Sequence, residues 1–257
     1  MLQNLALIKL GGSVVTFKER PLVANTVAID DISRILAQLS VPVIIVHGGG
    51  SFGHYWSMKY DMHTNPAAYD AHGVSVVHQS MYALNQIIVN SMISAGLSPY
   101  GMSPSMFTAG DSPIAAKIRQ VYAMAKSKVM PVTFGDVVHV EGKKYSILSG
   151  DVLMTILARA LRPMSVIFAT NVDGIYSDMH SKEPIREIRA AGKKLIDFSK
   201  ASGADVTGGM QRKITEAFKI ASCGMDVLIV NGLVPDRIVD ATKGRLKVGT
   251  VVRGIKR

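Results

Sequence analysis

The sequence is poor in cysteine: Cys223 is the single thiol among 257 residues. One cysteine excludes an internal disulfide and any zinc site built from several thiolates. It suits a reducing cytosol, and a cytoplasmic location is the expectation. No apolar stretch approaches the ~18 unbroken residues of a transmembrane helix, so no membrane association is expected. The opening run from Met1 to Leu10 lacks a basic leader and a full apolar h-region, so it does not read as a secretion signal. Low-complexity linkers and clear internal repeats are absent. Charged residues are sparse, at 19%, yet their balance is strongly basic, with a formal net charge of +10. Such an excess suits a nucleic-acid binder or an enzyme that handles several phosphates. The basic residues are scattered, apart from the tail Arg253, Lys256 and Arg257, and no basic–aromatic interleave occurs. That scatter disfavours a nucleic-acid partner.

What the chain does hold is apolar mass. Hydrophobic residues make up 48%, enough for a sizeable core and incompatible with intrinsic disorder. The length fits one large α/β domain or two small ones. Residues 5–10, 43–46, 166–169 and 227–230 read as buried strands, and 129–132 and 137–140 are strand-like. Residues 137–140 pair with 145–148 as a hairpin across Glu141-Gly142-Lys143-Lys144. Helical spacing marks residues 25–39, 74–95, 151–161 and about 210–221. Continuous apolar strands separated by helices predict a mostly parallel sheet covered on both faces. Ligands in such sheets bind at the carboxyl ends of the strands. A weak break at Arg162-Pro163 divides the chain into two candidate lobes of one domain.

Five loops fall at such strand ends. Lys9-Leu10-Gly11-Gly12-Ser13 sets an ammonium beside backbone amides that an anion can approach, with Lys18 shortly after. It lacks the spacing of a Walker A loop, and a plain tight turn is the competing account. His47-Gly48-Gly49-Gly50-Ser51-Phe52-Gly53-His54 leaves the backbone open to a polyanion. A helix starting near Ser51 would add its N-terminal dipole, and His54 stands one short turn further on. The same stretch matches both a G-x-S-x-G nucleophile elbow and an HGGG oxyanion loop. In hydrolases those come from separate loops; here they overlap, and one peptide cannot serve as both. Ser149-Gly150-Asp151 opens a helix. Either residue caps it, or the loop offers an amide to substrate and a carboxylate to orient lysines. Thr170-Asn171-Val172-Asp173-Gly174-Ile175-Tyr176 contains an Asp-Gly turn that could equally hold a nucleoside. Asp205-Val206-Thr207-Gly208-Gly209-Met210-Gln211-Arg212-Lys213 leads glycines into a helix with Lys213 on its first turn.

In this order the loops resemble the amino acid kinase superfamily, and within it the isopentenyl phosphate kinases. The superfamily elements are the loop from Lys9 to Ser13, the HGGG loop, Val172 to Tyr176, and Gly208-Gly209-Met210 with Lys213. Gly50 to His54, Phe134-Gly135-Asp136-Val137 and Ser149-Gly150-Asp151 resemble the isopentenyl phosphate group more narrowly, the histidine closing GSFGH most of all. The resemblance runs from Lys9 to Val252. It implies an open αβα sandwich with a mainly parallel central sheet, usually a homodimer. The single domain, 1–257, would carry substrate and phosphates on a lobe of about 1–162 and nucleotide on a lobe of about 163–257.

The reaction implied is transfer from ATP, with Mg²⁺, to isopentenyl phosphate. This enzyme type is most typical of archaea making isoprenoids by a mevalonate-related route. By motif position, Lys9 and Lys18 would neutralise the transferring phosphoryl group, and Asp151 would position lysines. Lys9, Leu10, Gly11, Gly12, Ser13 and Gly50 would surround the ATP phosphates. Gly49, His54 and Gly150 would hold the substrate phosphate. Asp173, Gly174, Ile175, Tyr176, Gly209 and Lys213 would lie on the nucleotide side. No residue is assigned as a metal ligand. Two positions depart from the family pattern: Asn171, where aspartate is common, and Val152, where an acidic residue is common. Val74, Val77, Met81 and Leu84 could line a slot for the five-carbon tail, but their helical spacing fits plain core better. A sister kinase acting on another small phosphate or phosphonate, and a non-catalytic nucleotide binder, are the competing functions.

Overall fold

The computed structural model describes residues 2–63, 69–140, 142–178, 180–189 and 208–255. Asp205, Val206 and Thr207 of the fifth loop, Glu141 of the hairpin turn, and Lys256 and Arg257 lie outside the described residues.

The chain opens with β1 (Gln3–Leu10), the short α1 (Gly12–Val15), α2 (Thr26–Leu36) and β2 (Val43–His47). Next come α3 (Gly50–Lys59), α4 (Ala71–Ser94) and β3 (Pro99–Gly101), then the small hairpin β4 (Thr108–Ala109) and β5 (Ser112–Pro113). α5 (Ala115–Lys126), β6 (Met130–Phe134), β7 (Asp136–Val140), β8 (Lys143–Leu148), α6 (Gly150–Leu161) and β9 (Pro163–Thr170) follow. The last elements are β10 (Glu187–Arg189), α7 (Gly208–Ala221), β11 (Val227–Asn231), α8 (Asp236–Thr242) and β12 (Thr250–Arg253). Side-chain caps set two helix starts: Asn25 accepts from the Ala28 amide before α2, and Asp70 from the Gly73 amide before α4.

Among the described residues eight strands form one sheet, in the order β10-β12-β11-β9-β1-β2-β6-β3. Only β11 and β12 run antiparallel; the other neighbouring pairs are parallel. The period of two along β1 splits its side chains between two cores. Leu5 and Leu7 join Leu153, Leu157, Ile214 and Phe218, under α6 and α7. Ala6, Ile8 and Leu10 join Ile32, Leu84, Ile88 and Ile238, under α2, α4 and α8. Helices thus cover both faces, which is why the strands are apolar throughout. The layered α/β fold with a mainly parallel sheet is as the sequence predicts.

Some boundaries differ. α2 stops at Leu36 and not at 39, and β6 runs from Met130 to Phe134 and not from 129 to 132. α7 starts at Gly208, which moves Lys213 from the first helical turn to the second. The paired glycines are helical because first-turn amides need no helical partner. Val77, Met81 and Leu84 are buried, as the core reading of that stripe expects. The hairpin forms, with Val137 opposite Ile147. At the proposed break, α6 ends on Arg162 in the left-handed region (φ 49) and β9 starts at the next residue. The sheet runs unbroken across that point, since β9 lies between β1 and β11. No helix among the described residues is long and apolar enough to cross a membrane.

Candidate active site

Parallel strands deliver their following loops to one edge. Leu10 is level with His47 on one side and Ala169 on the other, so the loops after β1, β2 and β9 emerge together. The first two then touch through their backbones. A Cβ on Gly12 would lie 2.3 Å from the Gly50 nitrogen, and one on Gly48 would lie 2.8 Å from the Gly12 nitrogen. Gly50 also holds φ at +47, and its Cβ would meet Thr16 Oγ1 at 2.0 Å. Glycine is required here by close approach, as a phosphate cradle needs. Buried Thr16 ties the two loops: its hydroxyl donates to the Gly12 carbonyl at 2.8 Å and accepts from the Ser51 amide at 3.0 Å. The helix of the second loop therefore begins at Gly50, one residue before the expected Ser51, whose amide Thr16 satisfies.

The strand alternation also places Lys9. It follows Leu5 and Leu7 on the face under α6, where an apolar side chain would otherwise sit. Ser149 caps α6, its hydroxyl accepting from the Val152 amide at 3.3 Å. Ser149 is thus the cap, and Asp151 turns to the lysines. Lys9 Nζ donates to Asp151 Oδ1 at 2.6 Å, and Lys213 Nζ stands 3.9 Å from the same oxygen. Burial raises the Asp151 pKa, but attraction to Lys9 and Lys213 and the Lys9 hydrogen bond outweigh it, and the carboxyl sits below its ordinary value. Gly150 makes room for the lysine, since a Cβ there would lie 3.1 Å from Lys9 Cε. Gly135 packs on the Gly150 amide, which its own Cβ would meet at 2.7 Å. Two ammonium groups thus face one carboxylate oxygen.

The residues expected on the nucleotide side form a second group. Ser13 Oγ donates to Asn171 Oδ1 at 3.0 Å, so Asn171 links the first loop to the end of β9. Asp173 accepts from Asn231 Nδ2 at 2.8 Å and pairs with Arg237. These contacts, Asn231 first, hold its carboxyl below the ordinary value despite some burial. The Ile175 amide donates to Thr250 Oγ1 at 2.8 Å, and Gly174 lets Thr250 approach. Tyr176 is half-buried beside them, and Gly209 lies at the start of α7, ahead of Lys213. Val152 packs against the core under α6.

Lys18 and His54 are exposed. Lys18 lies in the turn after α1, and His54 on the second turn of α3, so each continues from one of the joined glycine loops. His47 is different. It is buried, stacks on Phe134, and meets the Gly48 carbonyl and Asn85 Oδ1 at 3.1 and 3.2 Å. Burial lowers its pKa to about 4, so it is neutral at pH 7. Ser51 is also buried, and its Oγ meets no hydrogen-bond partner among the described residues, unlike the exposed, base-paired serine of a nucleophile elbow.

Several contacts escaped the sequence reading. Those of Thr16, Asn231 and Arg237 are described above. Asn231 was legible as a polar residue ending an apolar strand; Arg237 depends on how α8 packs. Asp136 is buried and accepts from His78 Nδ1 at 2.7 Å, pinning the base of the β7–β8 hairpin to α4. Met62, Val77 and Val137 form a satellite core with Trp56, Tyr60, Tyr69, Val74 and Tyr145 beside α3. Met81 underlies the second loop, its Sδ 3.0 Å from where a Gly49 Cβ would stand.

Magnesium prefers oxygen ligands and keeps several from water and substrate phosphates. Both carboxylates of the site already face cations, and no cluster of three metal-ligating side chains occurs among the described residues. The donor set fits an ion carried on nucleotide phosphates.

A family model described as the amino acid kinase family matches residues 4–231. The chain is 34% identical over 249 residues to the isopentenyl phosphate kinase of Thermoplasma acidophilum, covering 96% of this chain and 99% of that one. It superposes on a crystal structure of an isopentenyl phosphate kinase substrate complex with a TM-score of 0.79 at 30% identity, covering 98% of this chain and all of the other. A product complex of the Thermoplasma acidophilum enzyme gives a TM-score of 0.77 at 31% identity, over 97% and 100% of the two chains.

Proposed function

The chain belongs to the amino acid kinase family, and from that membership we propose that it transfers the γ-phosphoryl group of ATP to isopentenyl phosphate. An oxygen of the acceptor phosphate forms the new bond to phosphorus. The bond from phosphorus to the β–γ bridging oxygen breaks. ADP and isopentenyl diphosphate are released.

The observation that carries this reading is the buried Lys9–Asp151 pair, with half-buried Lys213 facing the same carboxylate, beside two backbone-joined glycine loops. Phosphoryl transfer asks little covalent help of a protein; it needs in-line positioning and neutralisation of charge on the transferring group. Lys9 and Lys18 supply that charge, with Asp151 fixing the direction of Lys9. Amides of Gly11, Gly12, Ser13 and Gly50 hold the ATP phosphates. Gly49, Gly150 and His54 hold the acceptor phosphate. The acceptor oxygen is already anionic near neutral pH, so His54 donates a hydrogen bond and need not act as a base. Asp173 to Tyr176, Gly209 and Lys213 line the nucleotide side, on the lobe formed by about 163–257. Magnesium, when bound, neutralises phosphate oxygens of the nucleotide.

The five-carbon tail lies against the aromatic satellite core beside α3, which also carries His54. The lone cysteine supports a cytoplasmic enzyme, and the family likeness supports a homodimer, which light scattering tests. ATP turnover with and without isopentenyl phosphate tests the function: the acceptor should raise ADP release many-fold, and equal rates would contradict the proposal.

A further inference from the structure

Glu216 is a buried carboxylate that the reaction leaves unused. It is 3% exposed, and Thr155 beside it is 5% exposed. Thr155 Oγ1 donates to Glu216 Oε2 at 2.6 Å, and Lys219 Nζ donates to Oε1 at 2.7 Å. Glu216 follows Lys213 by three positions on α7, and Thr155 follows Asp151 by four on α6. Residues three or four apart share a helix face. The two helices therefore meet along a seam with two polar rungs. One is Asp151–Lys213 at 3.9 Å, the other Thr155–Glu216 at 2.6 Å.

Apolar residues of the two helices pack with them. Met154, Ile214 and Ala217 are buried in the same core, and such contacts attract without fixing direction. A short hydrogen bond to a buried carboxylate is directional, and breaking it leaves a buried carboxylate oxygen unpaired. α7 also opens with Gly208-Gly209, which carry no side chains to anchor its first turn. Met210 and Ile214 anchor this end of the helix through apolar contacts alone, and Glu216, one turn beyond Lys213, adds a directional one.

We propose that Glu216 is a positioning residue: by accepting the Thr155 hydroxyl it fixes α7 on α6 and so holds Lys213 beside Asp151 and the nucleotide phosphates. This rests on the reading of Lys213 as a nucleotide-side group.

The test is a double-mutant cycle read by calorimetric titration with Mg·ATP. Glu216→Ala should weaken ATP binding about tenfold in the otherwise native chain, and less than twofold in a Lys213→Ala background. Glu216→Gln, which keeps an acceptor for Thr155, should bind ATP within twofold of the native protein. Equal losses in both backgrounds, or no loss in the native one, would overturn the proposal, since a merely structural role does not depend on Lys213. If Glu216→Ala does not fold, Thr155→Val enters the same cycle with the same expectation. Absence of isopentenyl phosphate turnover would sink the substrate reading alone, because the ATP cycle needs no acceptor.

Discussion

Lys9 on the first strand and Asp151 on the sixth helix meet at 2.6 Å across 142 residues of sequence. Both are buried, so neither charge is solvated without the other. Asp151→Asn keeps the shape and removes the charge. It should lower kcat by about 10²-fold or more, as loss of a preorganised electrostatic group does. It should also destabilise the fold by about 3 kcal/mol, because Lys9 is left buried without its counter-charge. The Asp151 pKa is depressed in the folded state, so its contribution is present above the unfolded carboxylate value of about 4 and is lost as pH falls below it. Urea unfolding at pH 7 and at pH 3.5 checks both statements: the penalty of the variant should shrink at the lower pH.

The contact between Gly12 and Gly50 makes a second prediction. Gly12→Ala would press a methyl group to 2.3 Å from the Gly50 nitrogen. Backbone cannot yield as a flexible side chain does, so the two loops must part. The expected cost is about 3 kcal/mol, with a large rise in KM for ATP. Gly244→Ala is the control. It has φ +69 but nothing within 4 Å, so it should cost only about 1 kcal/mol and leave KM unchanged. Thermal unfolding and steady-state kinetics on the pair separate close approach from backbone preference.

His54→Ala should lower kcat/KM for isopentenyl phosphate by about 10²-fold, the usual scale for losing a transition-state hydrogen-bond donor. ATP affinity, measured by calorimetry, should be unchanged. A variant with near-native kcat/KM would remove His54 from the acceptor site.

Two histidines should titrate in opposite senses. Burial holds His47 down to about 4, so its ring resonances in NMR should stay flat from pH 8 to pH 5. His78 is raised above 6.5, chiefly by its hydrogen bond to Asp136 and against partial burial, so its midpoint should lie above the ordinary histidine value. The stability signs follow. The unfolded chain protonates His47 near pH 6.5 while the folded chain resists until about 4, so this term is lost as pH falls through that window. The His78 term is full below about 6.5 and fades as pH rises through its raised folded value.

The sheet and its glycine loops were legible because parallel strands buried on both faces leave continuous apolar runs, and glycine clusters mark where chain must approach chain. Lys9 stood out as a charge inside such a run. The partners were less visible. Thr16, Arg237, His78 and Glu216 act through contacts between elements far apart in sequence, and each looks like an ordinary surface residue in the one-dimensional text. Lys213 was legible as a residue, but its helical turn was not, because glycines at a helix start read equally well as loop. The stripe on α4 is core, as its spacing suggests, and Val74 and Val77 of that stripe also join Trp56, Tyr60, Tyr69 and Tyr145 in the satellite cluster; those aromatics carry no periodic signal.

The central claim is the acceptor. Purified protein should be given ATP and Mg²⁺ with isopentenyl phosphate, acetylglutamate, carbamate and uridine monophosphate in parallel, and kcat/KM measured for each. The account predicts that isopentenyl phosphate is preferred over every other acceptor by at least about 10³-fold, since a buried polar site rejects ligands that leave its groups unpaired. Equal or faster turnover of any of the other three would contradict it.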